Sequence, residues 1–199
     1  PPARVAIQGE AGAFSHEAIQ RHLGPDVIPR PFPRFEDVFR AVQEGAIDGA
    51  MIPLENTLHG SVHENYDHLM RFSLQIVGEL NLRIVHNLIG PAGLELEAVR
   101  HVYSHPVALN QCLKFFQAHP GVEKVPFYDT AGSVKMLMEE RPAAAAAIAS
   151  AVSADIYGAR ILKASIEDDQ RNFTRFFHLV TEEHAEAILA GREAPVWKT

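Results

Sequence analysis

The sequence is poor in several features that mark particular classes of protein. Its 199 residues include one cysteine, Cys112, so an internal disulfide is excluded, which fits a reducing cytoplasm. No apolar run approaches the roughly 20 residues that a membrane-spanning helix needs. The segment Pro1–Ile7 also lacks the long apolar core of a secretory signal. The formal net charge of -7 argues against sequence-independent binding to nucleic acid. We therefore expect a cytoplasmic protein that binds neither membranes nor nucleic acid.

A recognisable metal-binding pattern is also lacking, although the chain has 11 histidines. His59 and His63 have an i,i+4 spacing, but Gly60 and Ser61 lie between them and resemble a helix start, so the two rings need not share one face. Neither a cysteine cluster nor a His-Glu-x-x-His motif is present. We expect no metal site.

Short apolar runs alternate with amphipathic stretches along the chain, which is typical of an α/β architecture. The expected strands are Arg4–Gln8, Asp26–Arg30, Gly49–Pro53, Leu74–Leu88, His101–Ser104, Lys124–Tyr128, Ala145–Ala149, Arg160–Ala164 and Phe173–Val180. The expected helices are Ser15–Leu23, Arg34–Glu44, Val62–Phe72, Pro106–Ala118, Ala131–Glu140 and Ala151–Tyr157, followed by a charged helical segment, Glu182–Arg192.

The length of Leu74–Leu88 indicates two lobes, because a typical strand has only about five or six residues. We expect this segment to cross between lobes near Gly78 and Glu79, and the chain to return near Ser165–Arg171. One lobe would comprise residues 1–76 and 166–180, and the other residues 77–165. The cleft between two such lobes is a common place for a ligand.

Several expected helices begin with residues that suit an anion. Glycines or polar side chains stand at these starts in Gly9–Ser15, Pro53–Gly60, Ser104–Pro106 and Asp129–Gly132. Helix N-termini favour anions, and ligands of open α/β sheets bind outside the carboxyl ends of the strands. Each start taken alone is usually a plain helix cap. Together with Arg175, they predict a pocket for a small acid.

The run Asn172–Phe176 combines amide, hydroxyl, guanidinium and aromatic groups at the start of an expected strand. Alternation along a strand would place Asn172, Thr174 and Phe176 on one face and Phe173, Arg175 and Phe177 on the other. A structural alternative is that Arg175 only forms an ion pair with Asp168 or Asp169.

Six ordered segments resemble the prephenate dehydratase family, from about Val5 to Val180. They are Gly9–Ser15, Ile52–Val62, Ser104–Cys112, Asp129–Gly132, Ala147–Ser150 and Asn172–Phe176. The resemblance implies a two-lobed fold similar to type II periplasmic binding proteins, with the active site in the inter-lobe cleft. It assigns residues 1–180 to a catalytic domain. Residues 181–199 would be a linker towards a missing ACT domain, whose first strand Trp197–Thr199 resembles.

The resemblance implies decarboxylating dehydration of prephenate to phenylpyruvate, in phenylalanine biosynthesis, by a homo-oligomer. The ring acts as its own electron sink, so no cofactor is expected. The implied catalytic residues are Thr174, as donor to the departing hydroxyl, and Arg175. The implied substrate-binding residues are Asn56, Ser104, Gln111, Thr130, Ala131, Asn172 and Phe176. Glu55 is ambiguous, because a carboxylate beside a dianion is unfavourable unless it is paired.

Two alternatives remain open from the sequence. The same motifs occur in arogenate dehydratases, so the substrate could be arogenate. A non-catalytic module that binds a small acid could use the same scaffold, since fold alone does not fix function. The run Thr174–Phe176 favours an enzyme, because a pure binder has no need of a hydroxyl at a leaving group.

Overall fold

A computed structural model describes residues 3–192 of the chain. In chain order the strands and helices are β1 (Arg4–Gln8), α1 (Phe14–Leu23), β2 (Ile28–Phe32), α2 (Phe35–Gln43), β3 (Gly49–Asn56), β4 (Gly60–Ser61), α3 (His63–Arg71), β5 (Leu74–Arg83), β6 (Asn87–Gly90), β7 (His101–Ser104), α4 (Pro106–Asn110), α5 (Leu113–Ala118), β8 (Glu123–Pro126), α6 (Thr130–Glu140), β9 (Ala145–Ala149), α7 (Ala151–Tyr157), β10 (Arg160–Lys163), β11 (Phe173–Thr181) and α8 (Glu182–Ala187). A short 3₁₀ turn, Leu96–Ala98, follows β6, and a wide helical turn, Ile188–Arg192, follows α8.

The chain folds into two compact units. Among the described residues, the first unit contains residues 3–9, Ser15–Arg83 and residues 171–192. The second unit contains Glu10–Phe14 and Ile84–Gln170. The chain therefore crosses four times, whereas the sequence predicted two crossings, because the short loop after β1 joins the second unit.

A mixed sheet forms the centre of the first unit, with strand order β2-β1-β3-β11-β5 and β4 beside β3. β1 pairs in parallel with β2 and β3, whereas β11 runs antiparallel to β3 and β5. One face of α2 packs into the core because Val38, Phe39 and Val42 follow helical spacing and are completely buried.

A second mixed sheet, with strand order β10-β6-β9-β7-β8, forms the centre of the second unit. β9 is buried at every position, as expected of a strand covered on both faces. Among residues 3–192, none of the helices combines the length and the apolar character that crossing a bilayer requires.

The long apolar segment after α3 differs from its prediction. It divides into β5 and β6, and the boundary between the units falls after Arg83. Gly78 and Glu79 lie inside β5, which pairs with β11 from Leu74 to Arg83, so these two residues are not a hinge. The return boundary lies after Gln170.

The predicted helix Pro106–Ala118 is broken into α4 and α5. Cys112 leaves the helical backbone conformation, with φ -126° and ψ 34°. The carboxylate of Asp168 accepts hydrogen bonds from the backbone N–H groups of Leu113 (2.9 Å) and Lys114 (2.8 Å), so α5 begins with its own side-chain cap. The resemblance of Trp197–Thr199 to a further strand lies outside the described residues.

Candidate active site

The side chains of Asn56, Asn172 and Thr174 form one hydrogen-bonded group in the first unit. The antiparallel register of β3 and β11 places Thr174 opposite Asn56. Asn56 Nδ2 donates to Asn172 Oδ1 at 2.7 Å and to Thr174 Oγ1 at 3.0 Å. Asn172 and Thr174 are both buried. The sequence-based expectation that Asn172 and Thr174 share a face is thus confirmed.

The amide of Asn56 is held in one orientation. Its Oδ1 accepts hydrogen bonds from the backbone N–H groups of Leu58 (3.0 Å) and His59 (2.9 Å). A carboxamide has two donor hydrogens and two acceptor lone pairs, and these contacts use all four. Because Nδ2 is the donor, Thr174 Oγ1 is an acceptor in this bond. Within residues 3–192 the Thr174 hydroxyl donates to no acceptor.

Arg175 lies on the opposite face of β11 from Thr174. Its Nε donates to Glu79 Oε1 at 2.6 Å, and its guanidinium stands 4.9 Å from the centre of the Phe177 ring. The hydrogen bond from Arg175 to Glu79 raises the pKa of Arg175 above its already high value. The ion pair therefore forms with Glu79, and the sequence-based alternative of Asp168 or Asp169 was wrong.

Glu55 lies beside Arg175 in the strand register and has a partner of its own. Its Oε1 accepts a hydrogen bond of 2.5 Å from the hydroxyl of Tyr66. This hydrogen bond raises the pKa of the Tyr66 phenol, with smaller contributions from burial and from the charge of Glu55. Glu55 thus has a structural partner on the face of the sheet that carries Arg175.

Phe176 follows on the buried face of β11. Its exposed fraction is only 2%, so the ring belongs to the interior of the first unit. A register shift against β3 occurs between Arg175 and Phe176, which pair with Glu55 and Pro53 respectively. The irregularity lies directly after the Thr174–Arg175 pair.

In the second unit the remaining predicted residues stand at helix starts or ends. Ser104, at the end of β7, donates its hydroxyl to the carbonyl of Ile148 at 2.7 Å and is completely buried. Asp129 caps α6 by accepting from Gly132 N at 2.7 Å. Thr130 and Ala131 form the first turn of α6, and Ala131 is buried.

Gln111 ends α4 and is fixed at both its backbone and its side chain. Its carbonyl accepts a 2.7 Å hydrogen bond from Asp168 N. Its Oε1 lies 2.8 Å from His86 Nε2. His86 was not predicted, because a single histidine between two strands gives no sequence signal of a site.

The loop Glu10–Phe14 is attached tightly to α7. Its carbonyl groups at Ala11 and Gly12 accept hydrogen bonds from Tyr157 (2.6 Å) and Ser150 (2.5 Å). Gly12 has φ +90°, and a Cβ there would lie 2.8 Å from Ser153 Cα. Gly12 therefore permits a close backbone approach that a side chain would prevent.

No group of three or more metal-ligating side chains occurs in the part of the chain that the structure describes. The predicted residues are divided between the units. The first unit holds Asn56, Asn172, Thr174, Arg175 and Phe176, and the second holds Ser104, Gln111, Thr130 and Ala131.

Comparison with known proteins decides the family. The family model for prephenate dehydratase matches residues 5–184. The chain belongs to the prephenate dehydratase family. It is 41% identical over 90% of its length to arogenate dehydratase/prephenate dehydratase 2, chloroplastic, of Arabidopsis thaliana, and covers 46% of that protein. The chain thus spans about half the length of the curated relatives it matches.

Solved structures share the fold. A prephenate dehydratase from Arthrobacter aurescens, in complex with L-Phe, is similar at a TM-score of 0.80 and 27% identity, covering 89% of this chain and 60% of the other. GqqA, described as a novel type of quorum quenching acylase, is similar at a TM-score of 0.82 and 34% identity, covering 90% and 64%.

Fold likeness extends beyond the family. Lipoprotein Tp32 of Treponema pallidum matches at a TM-score of 0.50 and 12% identity, over 96% of this chain and 88% of the other, a likeness of fold alone. The fold is the mixed α/β, two-sheet fold similar to type II periplasmic binding proteins.

Proposed function

We propose that this chain catalyses the decarboxylating dehydration of prephenate to phenylpyruvate, water and carbon dioxide. The observation that carries the proposal is the Thr174 hydroxyl, which accepts a hydrogen bond from Asn56. An oxygen that is already an acceptor directs its own hydrogen elsewhere. Thr174 can therefore donate to a departing hydroxyl group while Asn56 holds it in place.

The chemistry needs a donor and an oriented substrate. The bond to the ring carboxylate breaks and its electron pair enters the ring, while the bond to the ring hydroxyl breaks and that hydroxyl leaves as water. The ring becomes aromatic without an external electron acceptor. The tasks left to the protein are orientation of the two carboxylates and proton donation at the leaving oxygen. A threonine hydroxyl is a weak acid, so we assign Thr174 to hydrogen bonding or proton relay at this oxygen.

Arg175 is proposed to supply positive charge for a carboxylate of the substrate. Its guanidinium is half-buried and bonds Glu79 through Nε, which leaves the hydrogens of its two terminal nitrogens for other acceptors. Arg175 and Thr174 lie on opposite faces of β11. The two residues therefore either contact the substrate from different directions, or the charge of Arg175 acts on the substrate across the strand.

The other predicted residues divide by the contacts they make. Asn56 and Ser104 use their side chains within the protein, which supports positioning roles for both. Gln111 and Thr130 are less buried and are proposed to meet the substrate directly. Asn172, Ala131 and Phe176 are buried, so we propose that each supports the neighbouring site residues from within its own unit.

The proposal is tested by incubation of the purified chain with prephenate and spectroscopic detection of phenylpyruvate. We expect turnover without added cofactor and without change on addition of a chelator. Recovery of intact prephenate from a well-folded sample would reject the enzyme and favour the module that only binds a small acid.

The similarity to proteins described as arogenate dehydratases favours arogenate as a second substrate. Parallel assays with arogenate, detecting phenylalanine, measure that preference as a ratio of kcat/KM values.

Cytoplasmic location and homo-oligomerisation are part of the same proposal. The single cysteine supports a reducing compartment, whereas the Arabidopsis relative is described as chloroplastic. Sedimentation of the purified chain at several concentrations measures the oligomeric state, and a monomer throughout would contradict the proposed assembly.

A further inference from the structure

His86 is a buried residue in the connection between β5 and β6, and the activity proposed above gives it no role. Its exposed fraction is 3%. The backbone is held on both sides, because His86 N donates to Glu167 Oε2 at 3.1 Å and His86 O accepts from Ile166 N at 2.8 Å. The ring meets Phe14 edge to face, with 5.5 Å between ring centres. The segment that contains Glu167 thus holds the backbone of His86, and Phe14 contacts the imidazole ring.

The two ring nitrogens of His86 have different surroundings. Nε2 lies 2.8 Å from Gln111 Oε1. Nδ1 is buried, and no hydrogen-bond partner for it occurs within residues 3–192. A proton on Nδ1 would be a buried donor without an acceptor, which is costly, so the proton belongs on Nε2. Burial also lowers the pKa of His86, which keeps the ring neutral near pH 7.

This tautomer decides the orientation of the Gln111 amide. An Nε2–H group requires an acceptor, so it must face the amide oxygen of Gln111 and not the amide nitrogen. The NH₂ group of Gln111 is thereby turned away from His86. The backbone carbonyl of Gln111 is held by Asp168 N at 2.7 Å, so both ends of the residue are constrained.

We propose that His86 is a positioning residue, which holds the Gln111 amide so that its NH₂ group faces the substrate as a hydrogen-bond donor. The inference rests on the proposed function through the role of Gln111 as a substrate-binding residue. A hydrogen-bond donor of fixed direction suits a carboxylate oxygen of prephenate. An amide rotated by half a turn would present its oxygen to the same anion, which would be repulsive.

The kinetic test compares His86→Phe with His86→Gln. Phenylalanine keeps a flat ring but removes the donor, so we expect KM for prephenate to rise about tenfold, the usual effect of one lost hydrogen bond to a charged group. We expect kcat to change less, because the Gln111 contact serves ground-state binding. Glutamine can place an amide donor near the position of Nε2, so His86→Gln should recover most of the affinity. Wild-type KM in His86→Phe would overturn the inference.

A double-mutant cycle with Gln111→Leu separates positioning from a general structural role. If His86 acts through Gln111, His86→Phe should raise KM much less in the Gln111→Leu background than in the wild type. Equal factors in both backgrounds would contradict the inference. His119→Phe is a matched control at a second histidine of the same unit, whose Nδ1 lies 2.8 Å from the Phe115 carbonyl. It should leave KM unchanged.

Nitrogen-15 NMR of the wild type provides a readout that does not depend on turnover. We expect the His86 imidazole to show the neutral tautomer with hydrogen on Nε2, and His86→Phe to shift the side-chain NH₂ signals of Gln111. Hydrogen on Nδ1, or unmoved Gln111 signals, would overturn the inference even in an active enzyme. A wild type that converts neither prephenate nor arogenate would reject the proposed function, and the NMR result would still decide the link between His86 and Gln111.

Discussion

Asn56 Nδ2 and Thr174 Oγ1 are joined by a 3.0 Å hydrogen bond in which the amide is the donor. The direction of this bond follows from the other end of Asn56, where two backbone N–H groups occupy its oxygen. The Thr174 hydroxyl thus keeps its hydrogen for another partner. Catalysis by this hydroxyl requires it to donate a hydrogen bond to the leaving group. Its hydrogen remains available because the bond with Asn56 uses only the oxygen.

Removal of the hydroxyl by Thr174→Ala should reduce kcat about 10²–10⁴-fold, the range for loss of a positioned proton donor. KM should change little, because ground-state binding rests on other groups. Thr174→Ser retains the donor and should retain much of the activity. Steady-state kinetics of both variants measure the effect. Near-normal kcat with raised KM in Thr174→Ala would instead make Thr174 a substrate anchor.

Conversion of Asn56 to aspartate should reverse the direction of the bond to Thr174. A carboxylate accepts only, so the Thr174 hydroxyl would donate to Asp and lose its hydrogen for the substrate, whereas the N–H groups of Leu58 and His59 would keep an acceptor. We expect kcat to fall at least about tenfold. The same change in a Thr174→Ala background should cost little more. Thermal unfolding of each variant controls for the new charge near Asn172.

Arg175→Lys and Glu79→Gln together test whether the Arg175 charge binds substrate. Both side chains are partly exposed, so the weaker ion pair in Arg175→Lys and its loss in Glu79→Gln should each lower the free energy of unfolding by less than about 1 kcal/mol. Arg175→Lys also removes the planar fork and should raise KM. Glu79→Gln keeps the guanidinium and should leave KM equal or lower. Similar changes in KM for both variants would show that Arg175 only stabilises the sheet.

The sequence predicts the features of this site that depend on neighbouring residues, but not those that depend on contacts between residues far apart in the chain. Alternation in β11 was predictable because burial follows a period of two, and Asn172, Thr174 and Phe176 all lie on the buried side. The ion-pair partner of Arg175 was not predictable, because Glu79 comes beside Arg175 only through the pairing of β5 with β11. Nothing local distinguishes Glu79 from the other acidic residues.

The break between α4 and α5 was not predicted for the same reason, because it depends on a contact between residues far apart in the chain. Leu109, Cys112, Leu113 and Phe116 have the spacing of one continuous helix, which the sequence-based prediction followed. The break depends on Asp168, which is 55 residues from the N–H group of Leu113 that it caps. Since Gln111 lies at this break, its fixed position also depended on contacts that periodicity cannot indicate.

Substitution of Gly12 by alanine should destabilise the protein more than the same change at Gly24. Both glycines have a positive φ, +90° and +100°, so both variants suffer the strain of that backbone conformation, on the order of 1 kcal/mol. Only at Gly12 would the new Cβ also lie 2.8 Å from the backbone of Ser153, whereas nothing lies within 4 Å at Gly24. Urea unfolding measures the difference, and equal losses would contradict the close approach.

His178 should make the protein less stable in acid. Burial lowers its pKa to about 3, with smaller contributions from the charges of His22 and His184. An unfolded chain regains a histidine pKa of about 6.5, so between these values the unfolded state binds one more proton than the native state. This contribution to stability is complete above about pH 6.5 and is lost as the pH falls towards 3, at about 1.4 kcal/mol per pH unit.

His178→Gln and His178→Asn cannot titrate, so both should reduce the slope of unfolding free energy against pH near pH 5 by about one proton. The two variants should do so equally although their packing, and therefore their total stability, differs. A slope unchanged from the wild type in urea titrations at pH 4.5–6 would assign the acid sensitivity to other groups.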